Sequence, residues 1–240
     1  MKKIMMSNYS YLISLITSFL FLSSAAAQIL VDTSGNPVLR GVPYYISSIG
    51  RGAAGGDLSL VPSLFNCPLD VIQTSSDLIL GLPVTFHPSD LTPDGPINAR
   101  ANQKIQFTTS PIECKSGSVL GVRADLSLGR VTLSTGGVLG NPSGQDPNYW
   151  FKFEPYGPSG PETWFYFQYC LACEMCRMAD QCANMTVVSD GRSRRLAVPA
   201  SADEAPFIVN IRPVAVPASA DEVPFNFNSR PAGATGKSAD

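Results

Sequence analysis

After residue 27 the chain reads as short apolar segments broken by turn residues. Residues 30–32, 44–47, 69–73, 105–109, 119–126, 149–153 and 164–169 are rich in aromatic or β-branched side chains. They alternate apolar with polar positions in places and are punctuated by Gly, Pro, Asn or Asp, which predicts short strands. Ser34-Gly35-Asn36-Pro37 and Ser189-Asp190-Gly191 read as tight turns, the second around an Asp-Gly pair that tolerates positive φ. No stretch of a dozen residues shows the i, i+3, i+4 spacing of an amphipathic helix. The pattern predicts an all-β barrel or sandwich.

The first 27 residues follow a different pattern. A basic start, Met1-Lys2-Lys3, precedes an apolar run over 11–22 and then Ser23-Ser24-Ala25-Ala26-Ala27. This is the pattern of a secretory signal cut after Ala27, and the apolar run is shorter than the roughly 20 residues that span a bilayer. Cleavage leaves 213 of the 240 residues, with no membrane segment expected in the mature form. Secretion gives the six cysteines (Cys67, Cys114, Cys170, Cys173, Cys176 and Cys182) a disulfide reading. The C-x2-C-x2-C-x5-C spacing at 170–182 also matches metal-site spacing, but no histidine lies near it.

Composition narrows the function. A net charge of −2 argues against a nucleic-acid partner, which needs a clustered basic face. The one histidine, His87, stands beside Pro88 in an expected loop with no nucleophile motif, and no phosphate loop or nucleophile elbow occurs. No enzyme activity and no cofactor or metal are implied. Trp150 and Trp164 read as strand core, and Arg192, Arg194 and Arg195 as a solvated strand face. Asn184-Met185-Thr186 is an N-glycosylation sequon at Asn184. Residues 197–207 recur at 215–225 with one change, Ala205 to Val223, as though a duplication had appended a tail to a finished domain. The expected organisation is a signal at 1–27, one domain at 28–215 and a duplicated, disordered tail at 216–240.

Several motifs together carry a family resemblance. Leu30-Val31-Asp32-Thr33-Ser34-Gly35-Asn36-Pro37-Val38 followed by Tyr44-Tyr45-Ile46 resembles the N-terminal signature of plant Kunitz-type inhibitors of the soybean trypsin inhibitor kind. Cys67-Pro68-Leu69-Asp70-Val71-Ile72-Gln73 is similar to the segment around that family's first cysteine. Phe165-Tyr166-Phe167-Gln168-Tyr169-Cys170 and Arg194-Arg195-Leu196-Ala197-Val198 are similar to its later strands. Ser34 departs from the signature, which prefers an acidic residue, Asn, Thr or Tyr there. The resemblance implies a β-trefoil of twelve strands in three pseudo-repeats, six closing a barrel and six capping it. It also implies disulfides Cys67–Cys114 and Cys170–Cys182, with Cys173 and Cys176 as an additional pair.

It further implies a stoichiometric protease trap, in which a rigid exposed loop mimics substrate and loses little entropy on binding. The loop would comprise Ser89, Asp90, Leu91, Thr92 and Pro93, with Leu91 as the primary specificity residue. A register one residue different would put Asp90 or Thr92 there. Pro88 and Pro93 independently bias the residues before them to extended geometry. Leu91 fits an apolar pocket and leaves the buried carboxylate of a trypsin-like pocket unpaired. The expected partner is therefore a secreted serine protease of chymotrypsin-like or elastase-like preference, met by a monomer in the extracellular space, the apoplast or the vacuole. Arg40 stands where the family has a loop-bracing asparagine, a change that implies a weaker brace. Two other readings stay open: an inhibitor of cysteine or aspartic proteases, and a non-inhibitory storage, miraculin-like or carbohydrate-binding trefoil.

Overall fold

The computed structural model describes residues 28–89, 95–139, 150–157, 162–171 and 181–215. The expected signal, the Asp90–Asp94 part of the loop, Cys173, Cys176 and the tail lie outside these residues. Six strands form a closed antiparallel ring: β1 (Tyr44–Ser48), β4 (Val84–Pro88), β5 (Gln103–Phe107), β8 (Trp150–Pro155), β9 (Phe165–Leu171) and β13 (Ile208–Pro213). Each pairs with the next, and β13 returns to pair with β1 over Tyr44↔Pro213 to Ser48↔Val209.

Period-two alternation explains why these sequences close a barrel. Each strand sends two side chains inward: Tyr44 and Ile46, Val84 and Phe86, Ile105 and Phe107, Phe151 and Phe153, Phe165 and Phe167, Val209 and Ile211. All twelve are buried. The phenylalanines pack ring to ring, with Phe153 meeting Phe86 edge-on at 5.5 Å and Phe167 stacked at 5.4 Å.

Three hairpins cap one end of the barrel: β2 (Leu58–Ser63) with β3 (Asn66–Gln73), β6 (Val119–Asp125) with β7 (Arg130–Gly137), and β11 (Thr186–Ser189) with β12 (Arg194–Ala197). They are joined through β3–β7, β3–β12 and β7–β12 pairings, which completes a β-trefoil of twelve strands. A thirteenth strand, β10 (Gln181–Asn184), extends the barrel by pairing with β9. The Cys67–Cys114 and Cys170–Cys182 disulfides are formed.

Several expectations are corrected. Residues 30–32 do not form a strand. Val31 makes an isolated bridge to Pro37, next to that of Ile29 with Asn98, while Leu30 is fully buried. His87 and Pro88 belong to β4 rather than to a loop, because Pro88 ends the strand, where its missing N–H costs no ladder bond. Arg195 is not solvated. It is buried and touches Asp70 of β3 at 2.8 Å and Asp125 of β6 at 3.1 Å, while Arg123 of β6 meets Asp70 at 2.7 Å. Strands β3, β6 and β12, one from each capping hairpin, are thus tied by one charge cluster. Burial pushes the Asp70 carboxyl above its ordinary pKa despite the opposing pull of both arginines. Hydrogen bonds, chiefly from the Ser127 side chain, lower that of Asp125.

Phe153→Ala should cost about 3–5 kcal/mol, because it opens a cavity at the centre of the stack. Arg195→Ala should cost about 3–5 kcal/mol by removing the buried cation that Asp70 and Asp125 share and leaving Asp70 with Arg123 alone. Guanidinium unfolding curves measure both, and a change below about 1 kcal/mol for either variant would remove the role given to that residue.

Candidate functional site: the stem of the β4–β5 loop

The candidate site is the connection between β4 and β5, and its two ends are held by different segments of the chain. On the incoming side β4 pairs with β5 along its whole length, Val84↔Phe107 to Pro88↔Gln103. The Ser89 amide then donates to the Asn102 carbonyl at 2.8 Å. On the outgoing side Pro96 bridges Leu39. The Ile97 amide donates to Val38 O at 2.9 Å, while the Leu30 amide donates to Ile97 O at 2.7 Å. Ile97 and Ala99 are buried. The chain is therefore fixed at Ser89 and again at Pro96, with only six residues between.

The N-terminal segment that grips the outgoing side is itself shaped by Asp32. This buried carboxylate accepts from the amides of Ser34 at 2.8 Å and Asn36 at 3.0 Å, and Gly35 takes φ +80° in the turn. Those backbone contacts do not require the side chain at position 34, which explains why serine is accommodated there.

Arg40, for which the resemblance implies a weaker brace, reaches the loop stem. Its Nη2 donates to the Pro88 carbonyl at 3.3 Å, one residue before Ser89. A guanidinium is long enough to span from the N-terminal segment to β4, so the brace acts on the incoming stem. His87 lies beside it, with Nε2 3.1 Å from Thr85 Oγ1. Burial first, and the Arg40 charge second, hold the imidazole below its ordinary pKa of 6.5. Lys104, the strand partner of His87, donates to Val138 O at 2.6 Å and lies over the buried Trp150 ring at 5.0 Å. Trp150 thus serves the core, as its strand position predicts.

Of the expected loop residues the structure describes Ser89, which stands at the stem. Asp90, Leu91, Thr92 and Pro93 lie outside the described residues. The contact from Arg40 to Pro88 at the stem is one that sequence reasoning missed, since the two residues are 48 positions apart. Asn184 lies at the end of β10, where its Oδ1 accepts from Gln168 Nε2 at 2.9 Å. The sequon hydroxyl of Thr186 is buried and donates to Ala205 O at 2.9 Å. Among the described residues no group of three or more His, Cys, Asp or Glu could hold a metal ion.

Residues 30–211 match the legume Kunitz family model, described as trypsin and protease inhibitor. The chain belongs to this Kunitz-type inhibitor family. Among its relatives, Kunitz trypsin inhibitor 5 of Arabidopsis thaliana is 31% identical over 80% of this chain and 93% of that protein. Aspartic protease inhibitor 10 of Solanum tuberosum is 32% identical over 77% of this chain and 82% of that one. The crystal structure of Alocasin, a protease inhibitor from giant taro, superposes with a TM-score of 0.63 at 26% identity, covering 78% of this chain and 99% of that one. This Kunitz-type chain therefore shares fold and family with inhibitors whose names carry different protease classes.

The depressed pKa of His87 predicts a pH dependence for the Kunitz stem. Its folded-state pKa is depressed, so the unfolded chain binds the proton more readily. The stability that comes from keeping His87 neutral is complete above about pH 6.5 and is lost as the pH falls toward the depressed folded value. Urea unfolding of the wild type between about pH 7 and 5 should show that decline, and His87→Gln should flatten it. An equal decline in the variant would remove His87 as its source.

Proposed function

We propose that this chain is a secreted inhibitor of a serine-type endopeptidase with an apolar specificity pocket. It acts without chemistry of its own, by presenting residues 89–93 as an extended substrate with Leu91 as the primary side chain. The observation that carries this reading is the stem, in which Ser89 and Pro96 are held by backbone contacts to β5 and to the N-terminal segment, and Arg40 adds a side-chain contact at Pro88. A short span with fixed ends has few conformations to lose on entering a protease cleft. The family resemblance, in which the specificity residue falls about 24 positions after the first cysteine, supports Leu91 in that role, counted from Cys67.

The remaining organisation fits secretion: a signal at 1–27, an inhibitor domain at 28–215 and a duplicated tail, with Cys173–Cys176 as a third disulfide. Glycosylation at Asn184 would take place before folding, since the folded chain commits both Asn184 Oδ1 and the Thr186 hydroxyl to internal hydrogen bonds.

Titrating a panel of serine, cysteine and aspartic proteases with residues 28–240 and with Leu91→Ala tests the proposal. Burial of a leucine contributes roughly 1.5–3 kcal/mol, so the variant should bind a chymotrypsin-like or elastase-like enzyme about 10- to 150-fold more weakly. Tight trypsin inhibition that survives Leu91→Ala would overturn the assignment of Leu91. Inhibition confined to cysteine or aspartic proteases would overturn the serine class.

A further inference from the structure

Ahead of β4 the chain forms a fixed loop whose apolar side chains face water. Leu78, Ile79 and Leu80 are 89%, 48% and 62% exposed. The backbone beneath them is held at both ends. Thr74 Oγ1 donates to the carbonyls of Ile79 at 3.0 Å and Ser76 at 3.2 Å, and the Gly81 amide donates to Asp57 Oδ2 at 2.9 Å. The Leu82 amide donates to Leu58 O at 2.9 Å, and any side chain at position 81 would run into that same carbonyl. Three neighbouring apolar side chains held outward on a fixed backbone make a preformed contact surface.

Ile79 also lines a groove of about 420 Å³ between β2, β3 and the β11–β12 turn, a volume within the range of small-ligand sites. Val61 and Ile72 give it an apolar wall, on the faces of β2 and β3 opposite the buried Leu60 and Val71. Arg192 and Arg194 line it as well. Arg192 is exposed, while Arg194 donates to the carbonyls of Ala53, Ala54 and Gly55, which accept without neutralising its charge. Among the described residues neither arginine pairs with a carboxylate, and no Asp or Glu lines the groove.

The hydroxyls of the groove narrow the ligand. Thr74 serves the 76–82 loop, Ser189 Oγ accepts the Gly191 amide at 3.3 Å, and Ser193 Oγ donates to Asp190 Oδ2 at 2.8 Å. The Asp190 carboxylate is itself committed, accepting the Arg192 amide at 2.8 Å and the Ser193 amide at 2.6 Å and facing Arg195 at 3.7 Å. What the groove offers is positive charge beside apolar surface. A sugar or an extended peptide would bring several hydroxyls or backbone groups that need partners of their own. A molecule with one anionic end and an apolar chain needs none beyond the guanidinium groups, and a carboxylate is the acceptor their geometry suits best.

We propose that this groove binds a single-chain amphiphilic carboxylate. The carboxylate meets Arg192 and Arg194, and the unbranched chain lies along Val61, Ile72 and Ile79 toward the Leu78–Leu80 ridge. The ridge precedes β4 and the inhibitor loop follows it, so the five residues Val84–Pro88, about 13 Å of strand, separate the two. Binding here is a property apart from protease inhibition and stands or falls without it.

Isothermal titration of residues 28–240 with decanoate below its micelle concentration tests this, with decyltrimethylammonium as the cation of matched chain length. Decanoate should saturate one site, and the cation should bind roughly tenfold more weakly or worse. Arg192→Glu, on an exposed side chain, should weaken decanoate roughly tenfold or more by reversing the charge it meets. Ile79→Ser should weaken it about tenfold through lost apolar contact. Equal affinity for the two surfactants would overturn the proposal, as would a decanoate affinity unchanged in either variant. Binding to vesicles of an anionic phospholipid without binding of free decanoate would also overturn it, assigning the surface to a membrane.

Discussion

The structure depends on one constraint, the pairing of its first barrel strand with its last. Residues 44–48 and 209–213 are separated by most of the domain, yet they form five consecutive partners. That pairing turns an open sheet into a ring with no free edge among its six strands. Closure also gives the interior its contents. Once the ring is complete, every second residue of each strand points into one enclosed space, and six phenylalanines fill much of it. The three hairpins cover its end, and the Arg195, Asp70, Asp125 and Arg123 cluster fixes their mutual positions where apolar packing alone has no directional preference.

The loop stem inherits its geometry from this arrangement. β4 is placed between β1 and β5, so the chain leaves Pro88 at a fixed point on the barrel rim. The return at Pro96 is set by the N-terminal segment, which the Asp32 turn folds back alongside it. Arg40 adds a side-chain contact from the N-terminal segment to the Pro88 carbonyl on the incoming stem.

Much of the barrel was legible in the linear sequence because its strands repeat apolar residues at period two. The segments around Tyr44, Ile105, Trp150 and Phe165 are of this kind. β2 and β7 were not legible for the same physical reason in reverse. Pro62 interrupts β2 at an exposed position within a register shift, and β7 places Thr132, Ser134 and Thr135 in the interior. There Thr135 Oγ1 accepts the Leu69 amide, a partner 66 residues away that no local pattern announces. β13 lies between Pro206 and Pro213 and is polar at Asn210 and Arg212, and only its two neighbours in the ring make it a strand.

The amino-acid order by itself determined the fold class, the family motifs and the residues that alternate into a core, because period and turn chemistry are local properties. Tertiary structure alone decided that His87 stands in a strand, that Arg195 is buried among three carboxylates and that Arg40 touches Pro88. It also decided that Asp57 joins the Arg212 side chain of β13 to the Gly81 amide. Each of these is a contact between segments far apart in sequence. Charge, burial and reach acquire their meaning only when barrel closure has set which groups face each other.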